Sequence, residues 1–287
     1  MTPSLSLPLA ALNIGLPDVL QSGILQYGFM QRAMTAGVLT GVLCAVVGVF
    51  VVHRGLSFMG AGISHASFGG VALGAWLGVN PLAGALVFCL LVAWSIGWIS
   101  LKTQVREDTA IGIFFASTMA LGILLVGYSP PLQRELLAYL FGSILSVSVD
   151  DLVFISLAGG LVLALLGWFG KELLFTIFDP DGAVVAGIPA NRYYFLLITL
   201  VTFTLVISIK VAGIVLVPAL LVTPAAAASQ LSERFGIILL LSTLFGLAAT
   251  LGGLVLSYLF NTPSGATIVL LITFLFLLAS LVARLRK

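Results

Sequence analysis

Charge is what this sequence has least of. Asp, Glu, Lys and Arg make up 8% of its residues and hydrophobic types 61%, whereas a water-soluble domain carries roughly 25% charged residues. A surface covered by water is therefore excluded, and the chain reads as an integral membrane protein. Short strands of alternating polarity are also lacking, which excludes a membrane barrel. The repeated apolar runs of span length instead specify an all-α, polytopic transmembrane helical bundle. The net charge of +2 is small and scattered, so nucleic acid is not an expected partner. The first basic residue is Arg32, so no charged region opens a secretory signal.

Catalytic signatures are lacking too. Gly170-Lys171 is followed by Glu172 rather than Ser or Thr and opens no phosphate-binding loop. His53 and His65, the two histidines, do not frame the glutamate of a membrane metalloprotease. The chain is expected not to be an enzyme and to hold no permanently bound cofactor. Carboxylates are nearly confined to connections, whereas proton-driven carriers usually keep some in mid-membrane. Cys44 and Cys89 fall in apolar runs at depths about 12 Å apart, beyond the reach of a disulfide, which predicts free thiols.

Apolar runs are what the chain has in abundance. Residues 1–22, with Pro3, Pro8 and Pro17, read as a lead-in, and 23–287 as a single transmembrane domain. The runs predict about nine spans, with eight to ten allowed: roughly 29–52, 57–78, 82–101, 109–128, 151–170, 192–210, 212–230, 235–260 and 265–284. With the N-terminus outside, Arg54, Lys102, Arg106, Lys171, Arg192, Arg234, Arg284, Arg286 and Lys287 are cytoplasmic, and Arg32, Arg134 and Lys210 are not. That distribution satisfies the positive-inside rule. Residues 132–150 then form an outer-side helix or a re-entrant segment.

Three stretches stand out. The first is 56–78, where Gly62, Ala66, Gly70, Gly74 and Gly78 recur every four residues and draw a smooth helical stripe that lets another backbone approach. His65 sits at the edge of this stripe near mid-depth, where an ionisable group is by default a functional candidate. The alternative is a neutral imidazole bonded to Ser64, Ser67 or a carbonyl. The second stretch, 212–230, holds Pro218 and Pro224. An irregular span is tolerated only inside protein or beside water, so it either lines a path, with Pro218 and Thr223 joining Ser64 and Gly69 as candidate pathway residues, or is a kinked packing helix. The third is a short helix at 179–189. Asp179 can cap it, Pro180 can open it, Asp181 suits its positive end, Gly187 can end it and Pro189 blocks its continuation. It is either a docking element or an ordinary capped loop helix.

Taken together, these stretches resemble the membrane permeases of ABC-type metal-ion importers that take up manganese, zinc or iron. The resemblance is carried, in order, by Phe29-Met-Gln-Arg-Ala33, Gly60-Ala-Gly-Ile-Ser-His-Ala66, Gly70-Val-Ala-Leu-Gly74, Arg106-Glu-Asp-Thr-Ala-Ile-Gly112, Leu140-Phe-Gly-Ser143, Phe178-Asp-Pro180, Gly187-Ile-Pro189, Val217-Pro-Ala-Leu-Leu-Val-Thr-Pro-Ala225 and Pro263-Ser-Gly-Ala-Thr267. It implies a fold like that of type II ABC importers in a cytoplasmic (inner) membrane. It also implies a homodimer, two cytoplasmic ABC ATPase subunits and an extracytoplasmic metal-binding protein. The helix over 179–189 would couple to the ATPase through Asp179, Pro180, Asp181, Gly187, Ile188 and Pro189. The substrate would be a divalent metal ion, held transiently by His65. Members of the family often carry Asp where this chain has Ala61, one turn before His65. Loss of that oxygen ligand favours zinc slightly over manganese and iron. The alternatives are import of a metal chelate or small cofactor, an ATP-independent channel or secondary carrier, and a scaffold without substrate.

Overall fold

The computed structural model describes residues 27–128, 139–140, 142, 144 and 147–285. The lead-in over 1–22, Arg134, Arg286, Lys287 and most of 132–146 lie outside the described residues. The described elements are all helices: α1 (Gly28–His53), α2 (Ser57–Trp76), α3 (Pro81–Lys102), α4 (Glu107–Tyr128), α5 (Val149–Trp168), α6 (Gly170–Phe178), α7 (Pro180–Val185), α8 (Ala190–Leu231), α9 (Phe235–Phe260) and α10 (Ser264–Leu285).

The bundle is built around α1, whose small residues let three neighbours come close. A side chain at Gly48 would collide with the Leu221 carbonyl of α8. Leu43 packs on Gly159 of α5. Ser242 of α9 donates to the Ala45 carbonyl at 2.8 Å. Lipid drives no hydrophobic collapse between helices, so close packing and buried hydrogen bonds of this kind hold the core together. Cys44 and Cys89 are free and buried; Cys44 Sγ lies 3.6 Å from Ser208 Oγ, and Cys89 donates to the Ile63 carbonyl.

Among the described residues seven helices are long and apolar enough to cross a bilayer, against nine expected. Two features make the difference. Serines, glycines and His65 dilute the hydropathy of α2, which is mostly buried between neighbours. The runs expected as separate spans at 192–210 and 212–230 are joined in the 42-residue α8, interrupted at Gly213. Gly213 has φ 83° and ψ 159°, a backbone region open essentially to glycine alone. The break therefore falls at Gly213 and not at Pro218 or Pro224.

The chain reverses at this break. Ser208 meets α1 at Cys44, and Leu221 meets it at Gly48. On an unbroken helix residues 208 and 221 would be about 20 Å apart, but positions 44 and 48 are separated by only about 6 Å. The two halves, 190–212 and 214–231, consequently lie side by side along α1. Both of their outer ends reach the same place: the Arg54 guanidinium lies over the Tyr194 ring, and His53 packs on Phe235. The reversal is covered from the other side by Gly142, whose backbone is so close to Gly213 that a side chain at 142 would strike it. A buried, non-helical backbone is what the membrane interior permits, and this contact fits the re-entrant alternative for the described part of 132–150.

The bundle thus has two poles. Arg54, Lys102, Arg106, Lys171, Arg192, Arg234 and Arg284 belong to one, with α6 and α7; Arg32 and Lys210 belong to the other. Lys and Arg are thus gathered at one pole, the asymmetry from which the positive-inside rule expects a cytoplasmic face.

Candidate functional site

The small-residue stripe of α2 turns out to be a packing seam within the chain and not a bare wall. Gly62 lies against Ile111 of α4, Gly70 against Ala85 and Gly74 against Gly84, both of α3. Gly69 is buried on the Thr118 carbonyl of α4, 2.6 Å from where a Cβ would stand. A different face of α2, bearing Gly60 and Ser64, meets the second half of α8 at Leu221 and Ile214.

That second contact has a specific cause. In a helix the Ile214 carbonyl would accept the N–H of residue 218, but Pro218 has none. Ser64 Oγ donates to this carbonyl at 2.6 Å instead. Two candidate pathway residues are therefore joined: Ser64 satisfies the acceptor that Pro218 leaves free. Pro218 sits on the same helical face as Ile214 and Leu221, between the two places where α2 touches α8.

His65 lies one position further round α2, half-buried, with its ring edge-on to Phe115 of α4 at 4.8 Å between centroids. Its Nδ1 is buried and has no hydrogen-bond partner. The hydroxyls beside it are committed elsewhere, Ser64 to Ile214 and Ser67 to the Ser64 carbonyl. The neutral imidazole bonded to a neighbouring serine is thus not what the structure adopts. Ala61, one turn earlier on α2, supplies no donor. Among the described residues no group of three or more His, Cys, Asp and Glu side chains is placed to hold a metal. Among the described residues the site offers one imidazole nitrogen and no cage. Thr223 is half-buried nine residues beyond Ile214, about 14 Å along the helix, and does not share the level of His65.

At the basic pole the short helix has the expected ends. Asp179 Oδ1 accepts the Gly182 N–H at 2.9 Å, and Pro180 is the first residue of α7. Gly187 takes φ 81°, and the Ile188 N–H returns to the Ala183 carbonyl at 2.8 Å, satisfying acceptors at the helix end. Pro189 then stands at the start of α8. Ala183 is fully buried, whereas Val184 and Val185 are 61% and 90% exposed at the tip. Asp181 is exposed on the first turn. Two bare valines and a carboxylate are thus exposed together on this short helix.

A further cluster beside α7 escapes sequence reasoning. The Tyr194 hydroxyl, one turn into α8, donates to Glu107 at the start of α4, and Arg54 covers the same ring. Glu107 reads from sequence as a helix-end carboxylate only. Its tyrosine partner is 87 residues away, and no local spacing connects them.

A multi-pass bundle that isolates one imidazole inside and presents a capped helix tip at its basic pole is the build of a membrane permease. The sequence matches the ABC 3 transport family over residues 26–283, and the chain belongs to that family. It is 38% identical over 261 residues to a protein of Listeria innocua named manganese transport system membrane protein MntC, covering 91% of this chain and 93% of that one. It is also 38% identical to the manganese import system permease protein ScaB of Streptococcus gordonii, covering 91% and 94%. The fold is similar to a chain in the structure of PsaBC from Streptococcus pneumoniae in complex with Fab, with a TM-score of 0.84, 35% identity and coverage of 95% of this chain and 100% of that one. The family drawn from the ordered motifs is the one returned by these matches.

Proposed function

We propose that the chain is the permease of an ATP-driven importer in the cytoplasmic membrane and that its substrate is a divalent transition-metal ion. In this reading two copies flank a central path, two ABC ATPase subunits dock on α7, and an extracytoplasmic binding protein delivers the ion. Counting α2 and both halves of α8 brings the crossings to nine. The observation that carries the reading is His65: a buried imidazole nitrogen left without a partner while the adjacent serines are engaged elsewhere. One imidazole per copy gives an ion a foothold without the closed four-ligand set that would retain it.

Manganese is the favoured metal, supported by the names of the relatives. Zinc is the second reading, supported by the chemistry of the site. A lone imidazole with Ala61 in place of an oxygen donor suits zinc better than a harder ion. The ATPase acts when its two subunits close on ATP, and α7, continuous with α8 through Pro189, passes that movement into the bundle.

The test is reconstitution of the chain with its ATPase in vesicles, reading uptake of manganese and zinc with and without ATP. ATP-dependent uptake of one or both ions is expected, and uptake without ATP overturns the importer. H65A should lose at least ten-fold in uptake while still assembling with the ATPase. Unchanged uptake returns His65 to a packing role.

A further inference from the structure

One groove takes no part in transport as proposed above. It lies at the pole opposite α7, where the first turns of α3 and α5 meet the last turns of the first half of α8, and its volume is about 540 Å³. Leu86, Phe154, Phe203 and Ile207 are among its walls, while Asn80, Asp150, Asp151 and Lys210 stand together at its mouth. The polar end is built firmly. Asn80 Oδ1 accepts the Leu82 and Ala83 N–H groups at the start of α3. Asp151 closes a capping box with Ser148 at the start of α5 and is bound by Lys210. From Asp150 to Ala158 the groove runs about 12 Å along α5, close to the ~15 Å depth of one leaflet's hydrocarbon.

Apolar walls at this depth give water no partners, so a chain-like apolar occupant is called for. If a methylene needs about the ~30 Å³ of a water molecule, a groove of about 540 Å³ has room for the volume of one acyl chain. The mouth selects the headgroup. The Lys210 side chain remains 48% exposed although its ammonium is bound to Asp151. Asp150 is exposed and makes no ion pair among the described residues. A cation next to an unpaired carboxylate complements a headgroup that carries both a phosphate and an ammonium.

We infer that this groove binds one outer-leaflet phospholipid with a primary-amine headgroup. Its phosphate meets Lys210, its ammonium meets Asp150, and one acyl chain lies between α3 and α5 against Phe203. An anionic lipid without the amine leaves Asp150 facing a phosphate, which is unfavourable.

Native mass spectrometry of the full chain, extracted from vesicles of equimolar phosphatidylethanolamine and phosphatidylglycerol, tests the assignment. The expected result is one retained phosphatidylethanolamine per chain, preferred about five-fold, which is what one charge contact contributes at a lipid surface. A158W fills the groove from α5 and L86W fills it from α3, so each should release the lipid even if the other variant fails to fold. D150N should retain a lipid and lose the preference. Retention of neither lipid, undiminished retention in the tryptophan variants, or an unchanged preference in D150N overturns the assignment. So does disulfide cross-linking of two chains through F154C, which places a second copy of the chain in the groove.

Discussion

At the scale of single residues, the pair Ser64 and Pro218 shows how α2 and α8 are locked in register. Pro218 removes the N–H that Ile214 would bind, and Ser64 replaces it across the helix interface. A buried acceptor left without its donor costs about 1–3 kcal/mol. S64A should therefore lower the thermal midpoint of the detergent-solubilised protein by several degrees. S64T, which retains a hydroxyl, should recover part of the loss. His65 stands beside this lock and not in it. H65A is accordingly expected to reduce uptake without the stability loss of S64A, so the two neighbours should separate in a joint measurement of melting and transport.

At the scale of elements, α7 and the break in α8 differ in how openly the sequence declares them. Asp179, Pro180, Gly187 and Pro189 each mark an end of α7 by local chemistry, so the helix is readable from the eleven residues 179–189. Its proposed use as a docking tip rests on the exposure of Val184 and Val185, which depends on what the rest of the bundle covers. V185D should leave assembly of the bundle intact and lower substrate-stimulated ATP hydrolysis and uptake several-fold in the reconstituted complex, since a charge placed at a fully desolvated contact is costly. The break in α8 falls within three residues of the boundary that the apolar runs set between 210 and 212, but the residue that makes it is not declared, because Pro218 and Pro224 are the louder signals and both sit in regular helix. The signal that matters is a lone glycine whose neighbours are all apolar, and only the packing of Gly142 against it shows why the chain turns there. G213A forces a side chain into a backbone region that costs on the order of 1–3 kcal/mol. Loss of monodisperse protein on size-exclusion chromatography is the expected outcome, with G112A, at a position with open space around it, as the tolerated control.

At the scale of the whole molecule, apolar length and the asymmetry of Lys and Arg make the bundle and its two poles readable from sequence. The partners across the bundle are not readable in the same way. Ser64 and Ile214 are 150 residues apart, Tyr194 and Glu107 are 87 apart, and the stripe of α2 could have faced any helix. Small residues announce that something will come close but not what; here the stripe meets α3 and α4. The reversal at Gly213 has a consequence for sidedness. A helix that crossed once would put Arg192 and Arg234 in different compartments; a chain that turns back inside the bundle returns them to the same one. Cysteines introduced at Phe178, before α8, and at Gly236, after it, should both be modified by a membrane-impermeant maleimide in inside-out vesicles and both be protected in right-side-out ones. Opposite labelling of the two would mean that the chain passes through Gly213 without turning. Same-side labelling would mean that the glycine acts as a fold in the sheet of the membrane, bringing two ends of one helix to the ATPase together.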